Sequence, residues 1–95
     1  MNQTRLAARI VERDALRYTP AGLPALDLLL EHDSQLQQEH GTRQVKLSLR
    51  AQAIGVMAEQ LQKAPLGTAF RFSGFLANIR QGQRVILHIQ EFQQD

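Results

Sequence analysis

Three histidines, His32, His40 and His88, are the side chains best suited to hold a metal or move a proton, but they lie on separate segments. None has a second histidine or a cysteine at ligand spacing, and a site that needs three or four ligands is not assembled locally. The serines are Ser34, Ser48 and Ser73, with no Gly-x-Ser-x-Gly elbow and no acid-base partner nearby. Asp27 and Glu31 share one strand face at i, i+4, a pattern that a solvated face explains better than a pair of acids flanking a substrate. Glycines at 22, 41, 55, 67, 74 and 82 are dispersed, so no backbone run cradles phosphates ahead of a helix. The residues therefore predict no catalytic group, no metal, no cofactor and no enzymatic activity.

What remains is a set of cations: Arg17, Arg43, Lys46, Arg50, Arg71, Arg80 and Arg84. Residues 1–41 carry four arginines against six acids, while residues 42–95 carry seven bases against three acids. The basic excess thus sits in the later strands, where backbone phosphates are a natural target, although a solvated surface with scattered bases also fits. Single-strand binders add planar platforms on which bases stack. Tyr18, beside Arg17, and Phe75 are the exposed candidates, whereas Phe70, Phe72 and Phe92 read as core. Both stacking and simple packing fit Tyr18.

These side chains need elements to position them. Leu6, Ala8 and Ile10 alternate with Arg5, Ala7 and Arg9 over Arg5 to Glu12, a half-buried strand. Thr19-Pro20-Ala21-Gly22 is a turn joining it to a second strand from Ala25 to His32, where Leu26, Leu28 and Leu30 face one way. Leu29 breaks the polar face, which suits a partner subunit, a neighbouring loop or an ordinary exposed leucine. Asp33 to Thr42 is polar and reads as a long mobile hairpin loop. From Arg43 to about Ala53, Val45, Leu47 and Leu49 point inward and Lys46, Ser48 and Arg50 outward. Ile54, Met57, Ala58 and Leu61 recur at helical spacing over about residues 53–63, until Pro65 and Gly67 stop the helix.

A fourth strand places Phe70, Phe72 and Leu76 on one face, with Arg71 and Ser73 opposite and Gly74 at a bend or bulge. After the turn Arg80-Gln81-Gly82-Gln83, a fifth strand alternates Val85, Leu87 and Ile89 with Ile86, His88 and Gln90. Three strands, one short helix and two strands predict a mainly all-β fold, a five-stranded oligonucleotide-binding (OB-fold) barrel with the helix between strands three and four. An open α+β sheet is the competing arrangement.

Ninety-five residues, 43% hydrophobic and 21% charged, suit a single folded domain spanning 1–95 and argue against disorder. Without cysteine there are no disulfides and no thiolate chemistry. Arg5, Arg9, Glu12, Arg13, Asp14 and Arg17 interrupt any apolar run near the N-terminus, so no signal peptide or membrane role is expected. Lys63 alone on the helix also disfavours a membrane surface.

The segment Leu16-Arg-Tyr-Thr-Pro-Ala-Gly-Leu-Pro24, followed by Leu26-Asp-Leu-Leu-Leu-Glu-His32, resembles the primosomal replication protein N (PriB) family. Gly74-Phe75-Leu76 and Arg84-Val-Ile-Leu-His-Ile89 agree with that family's last two strands, so the likeness runs along nearly the whole chain. The chain is also similar to bacterial single-stranded DNA-binding protein, a larger relative that continues into a flexible, acid-tipped tail. The resemblance implies a cytoplasmic homodimer that binds single-stranded DNA in the primosome and contacts the restart helicase PriA and, in some members, helicase-loader proteins. Position by position, it implies DNA contacts at Arg17, Arg43, Arg80 and Arg84. Lys46 stands where some members have an aromatic, and Asp33 where a base would help, so a more electrostatic and weaker contact is expected. The competing functional reading is a protein-protein adaptor of the restart machinery whose nucleic-acid affinity is incidental.

Overall fold

The computed structural model describes residues 1–79 and 82–94. Its strands are β1 (Thr4–Arg13), β2 (Arg17–Tyr18), β3 (Pro24–Gln38), β4 (Gly41–Ile54), β5 (Ala69–Asn78) and β6 (Val85–Gln94), with one helix, α1 (Val56–Gln62), between β4 and β5. Strands join in the order β1-β5-β6-β4-β3, and β1 also pairs with β3, which closes the sheet on itself. The two-residue β2 only extends the β3 edge, so five strands form the barrel and the helix follows the third of them, as the sequence order predicts. Closure removes most of the unpaired edge that an open sheet would present.

β1 serves two partners because it changes sides midway. Thr4–Arg9 pairs with β5, while Arg9–Arg13 pairs with β3, with the register shift between Ile10 and Glu12 providing the bend. Inside, Ile10, Leu26, Leu28, Leu30, Leu61, Leu87 and Phe72 are essentially inaccessible. Each such side chain contributes about 1.5–3 kcal/mol on burial. Phe70 packs edge-on against both Phe72 and Phe92, at centroid distances of 5.7 and 5.5 Å. The helix closes one end through Ala58 and Leu61. The Arg13 guanidinium holds that end, donating to the Leu61 carbonyl at 3.0 Å and to the Ala64 carbonyl beyond it.

Four expectations change. First, Asp33 to Thr42 is not a loop: Asp33–Gln38 pairs residue by residue with Lys46–Gly41, leaving only Glu39 and His40 as the turn. Antiparallel ladders satisfy backbone hydrogen bonds without burying side chains, so a polar arm forms where no apolar alternation signals it. The Gln44 side chain adds a cross-strand bond to Asp33 at 3.0 Å. Second, the inward row of β4 is only partly enclosed. Leu49 packs on the core, but Leu47 is 38% exposed, because that stretch belongs to the arm. Third, Ile54 ends β4 and the helix begins at Val56, since Gly55 between them takes φ 80°. Fourth, in β6 Val85 is exposed at the barrel rim, and Ile86, on the outer row, is buried.

The turn and bulge readings hold. The Gly22 amide donates to the Thr19 carbonyl at 2.8 Å with φ 85° at Gly22, although the strand preceding the turn is the short β2. At Gly74 the β5–β6 register shifts, and a Cβ there would lie 1.9 Å from the His88 carbonyl oxygen. Only glycine allows strands to approach this closely.

Candidate nucleic-acid interface

Residues opposite one another in register share a face, so the outer wall of the barrel can be read across strands. Asp27 of β3 faces Gln52 of β4, Gln52 faces His88 of β6, and His88 faces Phe75 of β5. The His88 and Phe75 rings are stacked, with centroids 4.9 Å apart and planes 6° from parallel. One step along, Arg50 lies opposite Leu29 and Ile86 opposite Ala77. The result is a surface across β3, β4, β6 and β5 that carries a planar aromatic pair beside cations.

A cleft of about 320 Å³ cuts into this surface, and Arg17, Arg50 and Arg84 line it together with Asp14, Asp27, Ile79 and Ile86. Ile86 is therefore buried on the outside by the walls of the cleft. Arg17 is already engaged: its Nε and Nη2 donate to the two Asp27 carboxylate oxygens at 3.0 and 3.3 Å. That hydrogen bonding raises the Arg17 pKa above its ordinary value, with partial burial opposing and the negative charges of Asp27 and Asp14 assisting. The pair lies at the surface, so it stabilises the fold by about 1 kcal/mol at most. Its larger effect is to cancel one of the three cationic charges of the cleft.

The other residues singled out by sequence are distributed more widely. Tyr18 is 67% exposed on β2, next in sequence to Arg17 and paired with Pro24. Lys46 shares the outer row of β4 with Arg50 but sits out on the arm, opposite Asp33, in a recess with Glu31 and Ser48. Arg43 is opposite Leu36 and shares the row of Val45 and Leu47, so it points to the other side of the arm from Lys46. Arg71 stands opposite Ala7 on the β1–β5 pair, beside Arg5, away from the cleft. Arg80 lies outside the described residues. The expected row of cations thus resolves into one cluster of three, one outlier along the arm, and two that point elsewhere.

Residue chemistry alone missed the stacking of His88 on Phe75, having weighed the histidine only as a metal ligand. Its outward place in the alternation of β6 was visible, and only the pairing of β5 with β6 brings Phe75 against it. His88 Nε2 is buried without a hydrogen-bond partner among the described residues. Among those residues no group of three or more His, Cys, Asp or Glu could hold a metal ion. Likewise, no helix is long and apolar enough to cross a membrane.

A closed five-stranded barrel with a cationic, aromatic-bearing outer face across its central strands is an oligonucleotide-binding barrel of the single-strand-binding class. Comparison with known proteins agrees: the model of a family described as another single-strand binding protein family matches residues 2–91. The replication restart protein PriB of Bordetella pertussis is 46% identical over 92 residues, spanning 96% of this chain and 86% of the relative. The solved structure of PriB from Ralstonia solanacearum superposes with a TM-score of 0.89 at 36% identity, covering 100% of this chain and 99% of that one. The wild-type single-stranded DNA binding protein from Thermus aquaticus gives 0.78 at 26% identity, covering 99% of this chain and 50% of the other. The chain belongs to the PriB family of replication restart proteins.

Proposed function

We propose that this protein holds single-stranded DNA on the β3–β4–β6 face as a non-enzymatic accessory factor of replication restart. The observation that carries this reading is the grouping of Arg17, Arg50 and Arg84 around one cleft next to the stacked Phe75–His88 pair. Cations neutralise backbone phosphates without regard to sequence, while an aromatic face accepts any base. The names of the relatives supply the restart context. Residues 1–95 act as one domain in this reading. From the family resemblance, the protein works in the cytoplasm as a homodimer, contacts the restart helicase PriA, and in some members meets helicase-loader proteins.

A second reading, the adaptor, is favoured by a specific observation. Asp27 neutralises Arg17, and Arg43 and Arg71 point away from the cleft, leaving a thin cationic surface for DNA. Fluorescence anisotropy with a labelled oligothymidine over a salt series separates the two. Two phosphates neutralised by Arg50 and Arg84, with Arg17 held by Asp27, give a slope of about −1.4 in log K against log salt, at about −0.7 each. Replacing Arg50 and Arg84 by alanine lowers both affinity and slope in the DNA-binding reading. A flat salt response, or an affinity that both substitutions leave unchanged, refutes it, and retention of PriA in a pull-down then favours the adaptor.

A further inference from the structure

The cleft lined by Arg17, Arg50 and Arg84 also carries acceptors, for which phosphates have no use. Asp27 lies on its wall, with Asp14 beside it. Arg17 gives one hydrogen bond to each Asp27 oxygen, at 3.0 and 3.3 Å, and a carboxylate has about four lone-pair sites, so each oxygen keeps the capacity to accept another donor. Gln52 stands opposite Asp27 in the β3–β4 register and lines the same cleft, and its amide makes no hydrogen bond to another side chain among the described residues. A fixed acceptor and an amide donor thus lie side by side, with Ile79 and Ile86 supplying an apolar wall. At about 320 Å³ the cleft falls at the small end of ligand pockets and has room for one flat base.

Building on the single-strand-binding reading of this face, we propose that the cleft takes one base of the bound strand and selects cytosine or adenine over thymine, with Asp27 and Gln52 as the specificity-determining residues. Cytosine and adenine share an edge on which an exocyclic amino group stands next to a ring nitrogen that accepts. Asp27 accepts from the amino group, as acidic side chains do from cytosine N4, while the Gln52 amide donates to the ring nitrogen. Thymine reverses that order, with a carbonyl oxygen in place of the amino group and an N–H in place of the acceptor. Gln52 can turn to accept the N–H, but Asp27 has no donor for the carbonyl, and two acceptors left facing each other lower affinity. Asp14 adds charge of the same sign at the rim. Arg17 serves here by fixing the carboxylate through two parallel bonds. Arg50 and Arg84 take the flanking phosphates and the Phe75–His88 pair a neighbouring base, contacts that are blind to base identity.

The test uses the full chain and three fluorescein-labelled strands of equal length, so that phosphate contacts are matched: oligodeoxycytidine, oligothymidine, and a strand in which pyrimidin-2-one, which lacks the amino group, replaces cytosine. Anisotropy titrations at low salt and slightly alkaline pH give a cytidine affinity about fivefold above that for thymidine, the low end of what one base-edge pair discriminates. The pyrimidin-2-one strand loses that advantage. Asp27→Asn, whose amide can present either a donor or an acceptor, brings the cytidine-to-thymidine ratio close to one even as the freed Arg17 tightens both strands. Gln52→Ala lowers the ratio as well while leaving the Arg17 pair and the oligothymidine affinity in place. Circular dichroism melts verify that each variant is folded. Equal binding of the cytidine and thymidine strands by the parent protein, or a preference that survives both substitutions, overturns the base selection and leaves the DNA-holding role standing. Failure of all three strands to bind overturns that role and the selection together.

Discussion

Gly74→Ala probes the point where the barrel and its proposed binding face depend on the same backbone contact. The added Cβ lies 1.9 Å from the His88 carbonyl oxygen and 3.2 Å from the Gln90 amide nitrogen. Relief requires β5 and β6 to separate by roughly 1 Å, because the obstacle is backbone and no rotamer change removes it. Overpacking of this kind costs about 1–3 kcal/mol, and the loss of a flanking ladder hydrogen bond about 1 kcal/mol more. A total near 3 kcal/mol lowers the Tm of a chain this size by about 15 °C. Circular dichroism melts measure the shift, with Gly82→Ala as the control. The nearest heavy atom to a Cβ at Gly82 is an Ile79 side-chain carbon at an ordinary 3.7 Å, so its Tm stays within about 2 °C of the parent. Because the strain falls beside Phe75 and His88, oligothymidine affinity at a temperature where the variant is folded also drops, by about threefold. A Gly74→Ala Tm within about 3 °C of the parent refutes both the close approach and the coupling argued from it.

Asp27→Asn releases Arg17 from its carboxylate partner, so anisotropy titrations show oligothymidine affinity rising about threefold in low salt with a steeper salt slope; an affinity that falls contradicts the role given to Arg17. Arg13→Met removes the donor to the Leu61 and Ala64 carbonyls, and urea denaturation registers a loss of about 1.5–3 kcal/mol for this charged pair of bonds. Leu26→Ala empties a fully buried position and costs about 2–5 kcal/mol in the same assay, whereas Leu36→Ala, out on the arm at 52% exposure, changes stability by less than about 0.5 kcal/mol.

The sequence by itself determined the strands and the face that each of them buries. Period-two alternation at Leu6-Ala8-Ile10, Leu26-Leu28-Leu30 and Phe70-Phe72 states which side each strand buries, and that information is local to the strand. The turn at Gly22 and the bulge at Gly74 were equally legible, because the first requires a positive φ and the second a close backbone approach, and glycine meets both. Even the arm's lack of core was visible in its polar composition. Its strand pairing was not, since backbone hydrogen bonds leave no trace in side-chain type.

Only the tertiary structure decided which cations lie together. Alternation assigns a side chain to a face, but not to a neighbour several dozen residues away, and Arg17, Arg50 and Arg84 meet only because β3, β4 and β6 are adjacent in the closed sheet. The same closure carries Arg71 to the β1 side and sets Phe75 against His88. Asp27 lay in plain view ten residues from Arg17, yet its engagement with that arginine depends on the β2–β3 hairpin turning back at Gly22. Burial patterns are properties of segments and can be read singly, whereas a binding face is a property of the order in which segments pair.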